Sequence, residues 1–145
     1  MRSTAILIAV LAAASPALGD VVVESATDTS KCTAIERAQN TATLRRTLDR
    51  LSAQLSTTNA HVDATIVNLT VEPSHSALVV SAQVRIAISD EDGRIISVLT
   101  GAAKVEAHRT SRGRQLERMR ADAVTAAAES MFGKAKFALR QLPRS

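Results

Sequence analysis

The segment from residue 78 to residue 89 limits the fold more than any other stretch of the chain. Leu78, Val80, Ala82, Val84, Ile86 and Ile88 alternate there with Val79, Ser81, Gln83, Arg85, Ala87 and Ser89. A period of two held over that length means an extended strand with one buried face and one mostly wet face. Such a strand needs partners, and the flanking sequence supplies them. Val67, Leu69 and Val71 alternate with Asn68, Thr70 and Glu72 up to a turn at Pro73-Ser74. On the other side, Asp90-Glu91-Asp92-Gly93 reads as a turn in which Gly93 takes a positive φ, and a strand returns from Arg94 to Ala107. Ile95, Ser97, Leu99, Gly101, Ala103 and Val105 share one parity in it, whereas Ile96 and Val98 fall on the other. That conflict predicts a bulge, or burial of both faces, near the start of the strand.

Helical periodicity flanks the three strands. Leu44, Leu48, Leu51 and Leu55 are spaced four, three and four apart, while Arg45, Arg46, Asp49, Arg50 and Gln54 occupy the other faces. This predicts an amphipathic helix over about residues 40 to 56, packed on the sheet through its leucines. Thr33-Ala34-Ile35-Glu36 has capping-box spacing, so a first turn could begin there. Leu116, Met119, Ala123, Ala127, Met131, Ala135, Ala138 and Leu142 repeat at helical spacing and predict one last helix, stopped by Pro143. The assembly expected is an α+β fold: a three-stranded antiparallel sheet with two helices packed on one face. If Val21-Val22-Val23-Glu24 pairs as well, the sheet has four strands and the order is β-α-β-β-β-α.

The first residues read as a targeting segment. Arg2 is followed by ten uncharged apolar residues from Ala5 to Ala14, then Ser15-Pro16 and the small residues Ala17 and Gly19. That layout is a cleaved export signal, since a membrane-spanning helix needs about twenty apolar residues. The expected organisation is a leader at 1–19, an N-terminal segment with a short strand and a loop at 20–39, and the α+β domain at 40–145. No transmembrane anchor is expected after cleavage, and the protein is expected to be periplasmic or secreted. Losing Arg2 lowers the formal charge from +4 to +3. Export disfavours a nucleic-acid partner despite the basic balance, because the polyanions outside the cytoplasm are mainly lipid headgroups and envelope polymers.

Composition narrows the chemistry. Phe132 and Phe137 are the only aromatic residues, which argues against carbohydrate-stacking faces, aromatic cages and single-strand nucleic-acid platforms. One cysteine excludes an internal disulfide framework and a cysteine-rich zinc module. The chain has no G-x-S-x-G elbow, no glycine-rich phosphate loop and no H-E-x-x-H sequence. His61, His75 and His108 are far apart and read as loop or strand-end residues. His61 and Asp63 could share a strand face, but two ligands do not make a zinc site. Asp90, Glu91 and Asp92 lack EF-hand spacing and read as an acidic hairpin turn. No catalytic residue, metal or cofactor is therefore expected.

Two features carry the remaining functional expectations. Arg109, Arg112, Arg114, Arg118 and Arg120 straddle the start of the last helix, where positive charge opposes the helix dipole. They would suit an anionic surface or an acidic partner protein, against the ordinary reading of a solvated basic loop balanced by Glu117 and Asp122. Cys32, beside Lys31 and a helix start, is either an unpartnered thiol or the link in a disulfide-bonded dimer that reductant would dissolve.

The run Ala82-Gln83-Val84-Arg85-Ile86, the turn Asp90-Glu91-Asp92-Gly93-Arg94 and the helical Ala121-Asp122-Ala123-Val124 together resemble small exported bacterial envelope domains of the CsgG, TolB N-terminal and penicillin-binding-protein-activator type. The likeness is a pattern of elements over residues 40 to 142. It implies a noncatalytic adaptor or assembly component, in several cases lipid-anchored. This chain departs from that by having no cysteine at the cleavage point. The function expected is thus an exported, noncatalytic binding or assembly domain of the bacterial envelope. The alternatives are a small periplasmic enzyme and a Cys32-linked structural oligomer.

Overall fold

The computed structural model describes residues 19–55, 59–109 and 113–142. The elements run β1 (Val21–Asp28), α1 (Ala34–Ser52), β2 (Ala60–Pro73), β3 (Ala77–Ser89), β4 (Ile95–His108), α2 (Gly113–Ser130) and α3 (Phe132–Arg140). The strands form a single sheet in the order β1-β2-β3-β4. β2, β3 and β4 are an antiparallel meander, as their alternation and short turns predict. β1 also pairs, but parallel to β2, so the four-stranded sheet is mixed and not antiparallel throughout. The cause is the connection: α1 carries the chain back across the sheet, and a strand that follows such a crossover runs in the direction of the one before it.

β3 keeps its alternation in full, with Val80, Ala82, Val84, Ile86 and Ile88 buried. In β2 the register slips between Ile66 and Asn68, leaving Val67 unpaired. Such a bulge switches parity, so Ile66 and Leu69 both face the core and Val67 does not share the face of Leu69 and Val71. The parity conflict in β4 resolves as a bulge too: Ser89 pairs with Ile95 and Ile88 with Ser97, with Ile96 as the extra residue. Ile96 and Val98 stay exposed.

The helices lie on one side of the sheet. α1 packs mainly on β1 and α2 on β3 and β4, and Leu44, Leu48, Val62, Val84, Ala127 and Leu139 belong to one continuous core. α1 begins at Thr33, whose hydroxyl accepts from the Glu36 amide while the Glu36 carboxylate accepts from the Thr33 amide. Those reciprocal bonds satisfy two otherwise orphaned donors and set the helix start at residue 34. The last helix is two helices. The Met131 amide bonds back only three residues, to Ala128, and the tightened turn redirects the chain so that buried Met131, Ala135 and Leu139 all meet the core. α2 approaches β4 closely at Gly101, where a Cβ would lie 2.6 Å from both Met131 Cγ and Ser130 Oγ and would also strike the Ala127 carbonyl oxygen. Gly93 closes the β3–β4 turn at φ 81°, with Asp90 Oδ1 accepting from the amides of Asp92 and Arg94.

Candidate functional site

α1 and α2 run side by side in the same sense. Their contacts follow one order along both: Arg120 Nη2 to Glu36 Oε1 at 2.8 Å, Thr125 to Thr47 through their hydroxyls at 3.4 Å, and Arg50 Nη2 to Glu129 Oε1 at 2.6 Å. Because the Thr47 proton is directed to the Thr43 carbonyl, the Thr125 hydroxyl is the donor in the middle contact. Toward the N-terminal half of this pair the helix surfaces separate into an open groove. Its α1 wall includes Gln39, Ala42, Thr43 and Arg46, and its α2 wall Arg114, Glu117, Arg118 and Ala121. Each set repeats at three and four, so each is one stripe of its helix.

Five arginines line this groove and their situations differ. Arg120 is mostly buried and held by Glu36. Its Nε is enclosed without a hydrogen-bond partner among the described residues. Glu36 thereby serves two ends, the α1 cap and the α2 guanidinium. The Thr33 amide, with help from Arg120, holds its carboxyl below the usual carboxylate range against the opposing effect of burial. Arg45 leaves the groove to donate from Nη2 to the Val23 carbonyl at 2.9 Å, covering an acceptor where β1 slips register. Arg46, Arg114 and Arg118 remain exposed, and no acidic side chain pairs with them among the described residues. Glu117 is the one carboxylate in the lining.

Three unpaired guanidiniums on facing helix stripes repel one another, and Arg114 in the first turn of α2 also opposes the helix dipole. Each presents a planar fork of donors that matches phosphate or carboxylate oxygens. The arrangement can bind anions. Of the arginines singled out in the sequence, Arg114, Arg118 and Arg120 converge here. Arg109 lies past the end of β4, its amide bonded to the Ser76 carbonyl, and Arg112 lies outside the described residues. The leader and Pro143 also lie outside them. Arg45 and Arg46 come from a different helix, far in sequence from the arginines of α2.

The other candidates are dispersed. Cys32 is half-buried against the core just before α1. His61 sits on the wet face of β2 with Nδ1 2.5 Å from Glu24 Oε1, without the N–H alignment of a hydrogen bond. Asp63 accepts instead from Ser25 Oγ at 2.6 Å. The sheet holds His61 at the end carrying the β3–β4 turn and His75 and His108 at the opposite end. Among the described residues no three histidine, cysteine or acidic side chains are grouped to hold a metal. In the acidic turn, Glu91 accepts from Asn59. A cavity of about 30 Å³ lies between helices and sheet, bounded by Val23, Leu48, Val62, Ile88, Met131 and Leu139. Its lining is apolar, so it belongs to core packing. No helix among the described residues is long and apolar enough to cross a membrane.

No family model and no curated protein matches the chain. Among solved structures, the chain is similar to a hypothetical protein from Chlamydia trachomatis, with 11% identity, 83% of this chain and 97% of that chain covered, and a TM-score of 0.54. It is also similar to a protein from Helicobacter pylori described as a neuraminyllactose-binding hemagglutinin homologue, with 10% identity, 86% and 89% covered, and a TM-score of 0.54. A minor lipoprotein from Acinetobacter baumannii matches with 13% identity over 88% and 98% of the two chains, at a TM-score of 0.48. At such identities the first two likenesses establish a shared α+β fold and nothing finer.

Proposed function

We propose that the protein is an exported, noncatalytic binding domain of the bacterial cell envelope, and that its contact surface is the arginine-lined groove between α1 and α2. The observation that carries this reading is the set Arg46, Arg114 and Arg118: three exposed guanidiniums, drawn from two helices, with no carboxylate among the described residues paired to any of them. The export-type leader supports a periplasmic or secreted location, and the bacterial proteins of similar fold fit the same setting. The finer resemblance to CsgG, TolB N-terminal and penicillin-binding-protein-activator domains belongs to this reading, as does the expectation of an adaptor or assembly role. Arg109 and Arg112 belong to the same basic run in the sequence and are part of this reading.

Charge reversal tests it directly. Arg114→Glu combined with Arg118→Glu should weaken binding to phosphatidylglycerol-containing vesicles and to inorganic polyphosphate at least about tenfold, since each basic residue near an anionic surface contributes about 1 kcal/mol. Added salt should weaken the unaltered chain in the same direction. Binding that neither reversal nor salt changes would remove the groove from the function.

A further inference from the structure

We propose that the anionic partner of this groove is a phospholipid surface and that Ile35 is the side chain that enters it; the inference rests on the groove reading above. Ile35 is 74% exposed, the most exposed of the large apolar residues described. It lies in the first turn of α1 and takes no part in the core. Positions 35, 39, 42 and 46 are spaced four, three and four apart, so Ile35 heads the same stripe that supplies Gln39, Ala42 and Arg46 to the groove. A β-branched residue also gains nothing for the helix at an exposed position.

The pairing of charge and exposed apolar surface on one stripe distinguishes possible ligands. A soluble polyanion would use the arginines and leave Ile35 in water. A lipid surface offers both halves of the match: phosphates at the level of the guanidiniums and an acyl boundary into which an aliphatic side chain partitions. The carboxylate beside Ile35 does not oppose this approach, because Glu36 is already neutralised by Arg120 at 2.8 Å. Glu117 is the single acid of the lining, against Arg46, Arg114 and Arg118.

The test uses the chain from Asp20 to Ser145, which contains every element described above, with two probes: vesicles of phosphatidylglycerol and phosphatidylcholine, and inorganic polyphosphate. Ile35→Ser should lower vesicle partitioning about tenfold, the effect of withdrawing one aliphatic side chain from a lipid boundary, and leave polyphosphate binding unchanged. Ile35→Leu should restore partitioning, and both variants should melt with the unaltered chain because the site is outside the core. Unchanged vesicle partitioning in Ile35→Ser, with polyphosphate binding still sensitive to Arg114→Glu, would overturn the lipid assignment and leave the groove reading intact. Binding to polyphosphate with none to vesicles would overturn it in the same way and direct attention to an acidic protein partner. Insensitivity of both probes to the arginine reversals would overturn both.

Discussion

Glu36 shows how one side chain links helix capping to helix pairing. Its carboxylate accepts from the Thr33 amide at 2.9 Å and from Arg120 at 2.8 Å, and its proton affinity is lowered in the fold. The unfolded chain therefore takes up this proton before the folded chain does. The stabilisation is complete at neutral pH and is lost as pH falls through and below the ordinary value of 4.5. Glu36→Gln should cost about 1 kcal/mol at neutral pH, the scale of a helix cap, and should flatten the acid limb of a denaturant-monitored stability profile. A variant whose acid limb matches that of the unaltered chain would show that Glu36 is not coupled to folding. The capping box was readable from Thr33 and Glu36 alone, because it depends on spacing of three. Arg120 was not readable as its partner, since the ion pair joins residues 84 positions apart by their numbers. By position in the sequence Arg120 is expected to face a ligand like its neighbours, whereas its guanidinium is mostly enclosed and paired with Glu36.

The elements differ in how much of their geometry is local. β3 is set by strict alternation, and α1 by a leucine stripe together with its cap. β2 was legible only from Val67 onward, although Ala60, Val62, Ala64 and Ile66 also alternate with His61, Asp63 and Thr65. The bulge at Val67 joins two half-strands of opposite parity, so a search for one continuous alternation finds the second half and misses the first. The parallel pairing of β1 depends on the path of α1, which no residue within β1 records. Gly101 is a further case, since its need for glycine comes from α2. Gly101→Ala should destabilise the protein by about 1–3 kcal/mol, the usual cost of overpacking, because the added methyl meets Met131 and Ser130 at 2.6 Å and the backbone of α2 behind them. Thermal unfolding followed by circular dichroism measures this. An unchanged melting temperature would mean that α2 can withdraw from β4 without loss.

For the molecule as a whole, the sheet and the helical layer have different tasks. The sheet presents its open face with His61, Asp63, Thr65 and Gln83 beside the exposed Val22 and Val98, a surface of mixed polar and apolar character. The helical layer places unpaired positive charge and one exposed isoleucine on two adjoining stripes. The arginine run at the start of α2 was visible in the sequence, but its counterpart Arg46 looked like one more solvent-facing residue of α1. Only the parallel course of α1 and α2 brings the two together, and that course follows from both helices returning across the same face of a four-stranded sheet. The same fold holds the three histidines at opposite ends of the sheet, and in the β3–β4 turn uses Asp90 to hold the turn and Glu91 to accept from Asn59. Hydrogen–deuterium exchange of the chain with and without phosphatidylglycerol vesicles tests the central claim most directly. Protection confined to α1 from Ala34 to Arg46 and to α2 from Arg114 to Ala121, with the wet face of the sheet unchanged, is the result predicted. Protection along the sheet, or none at either helix, would contradict it.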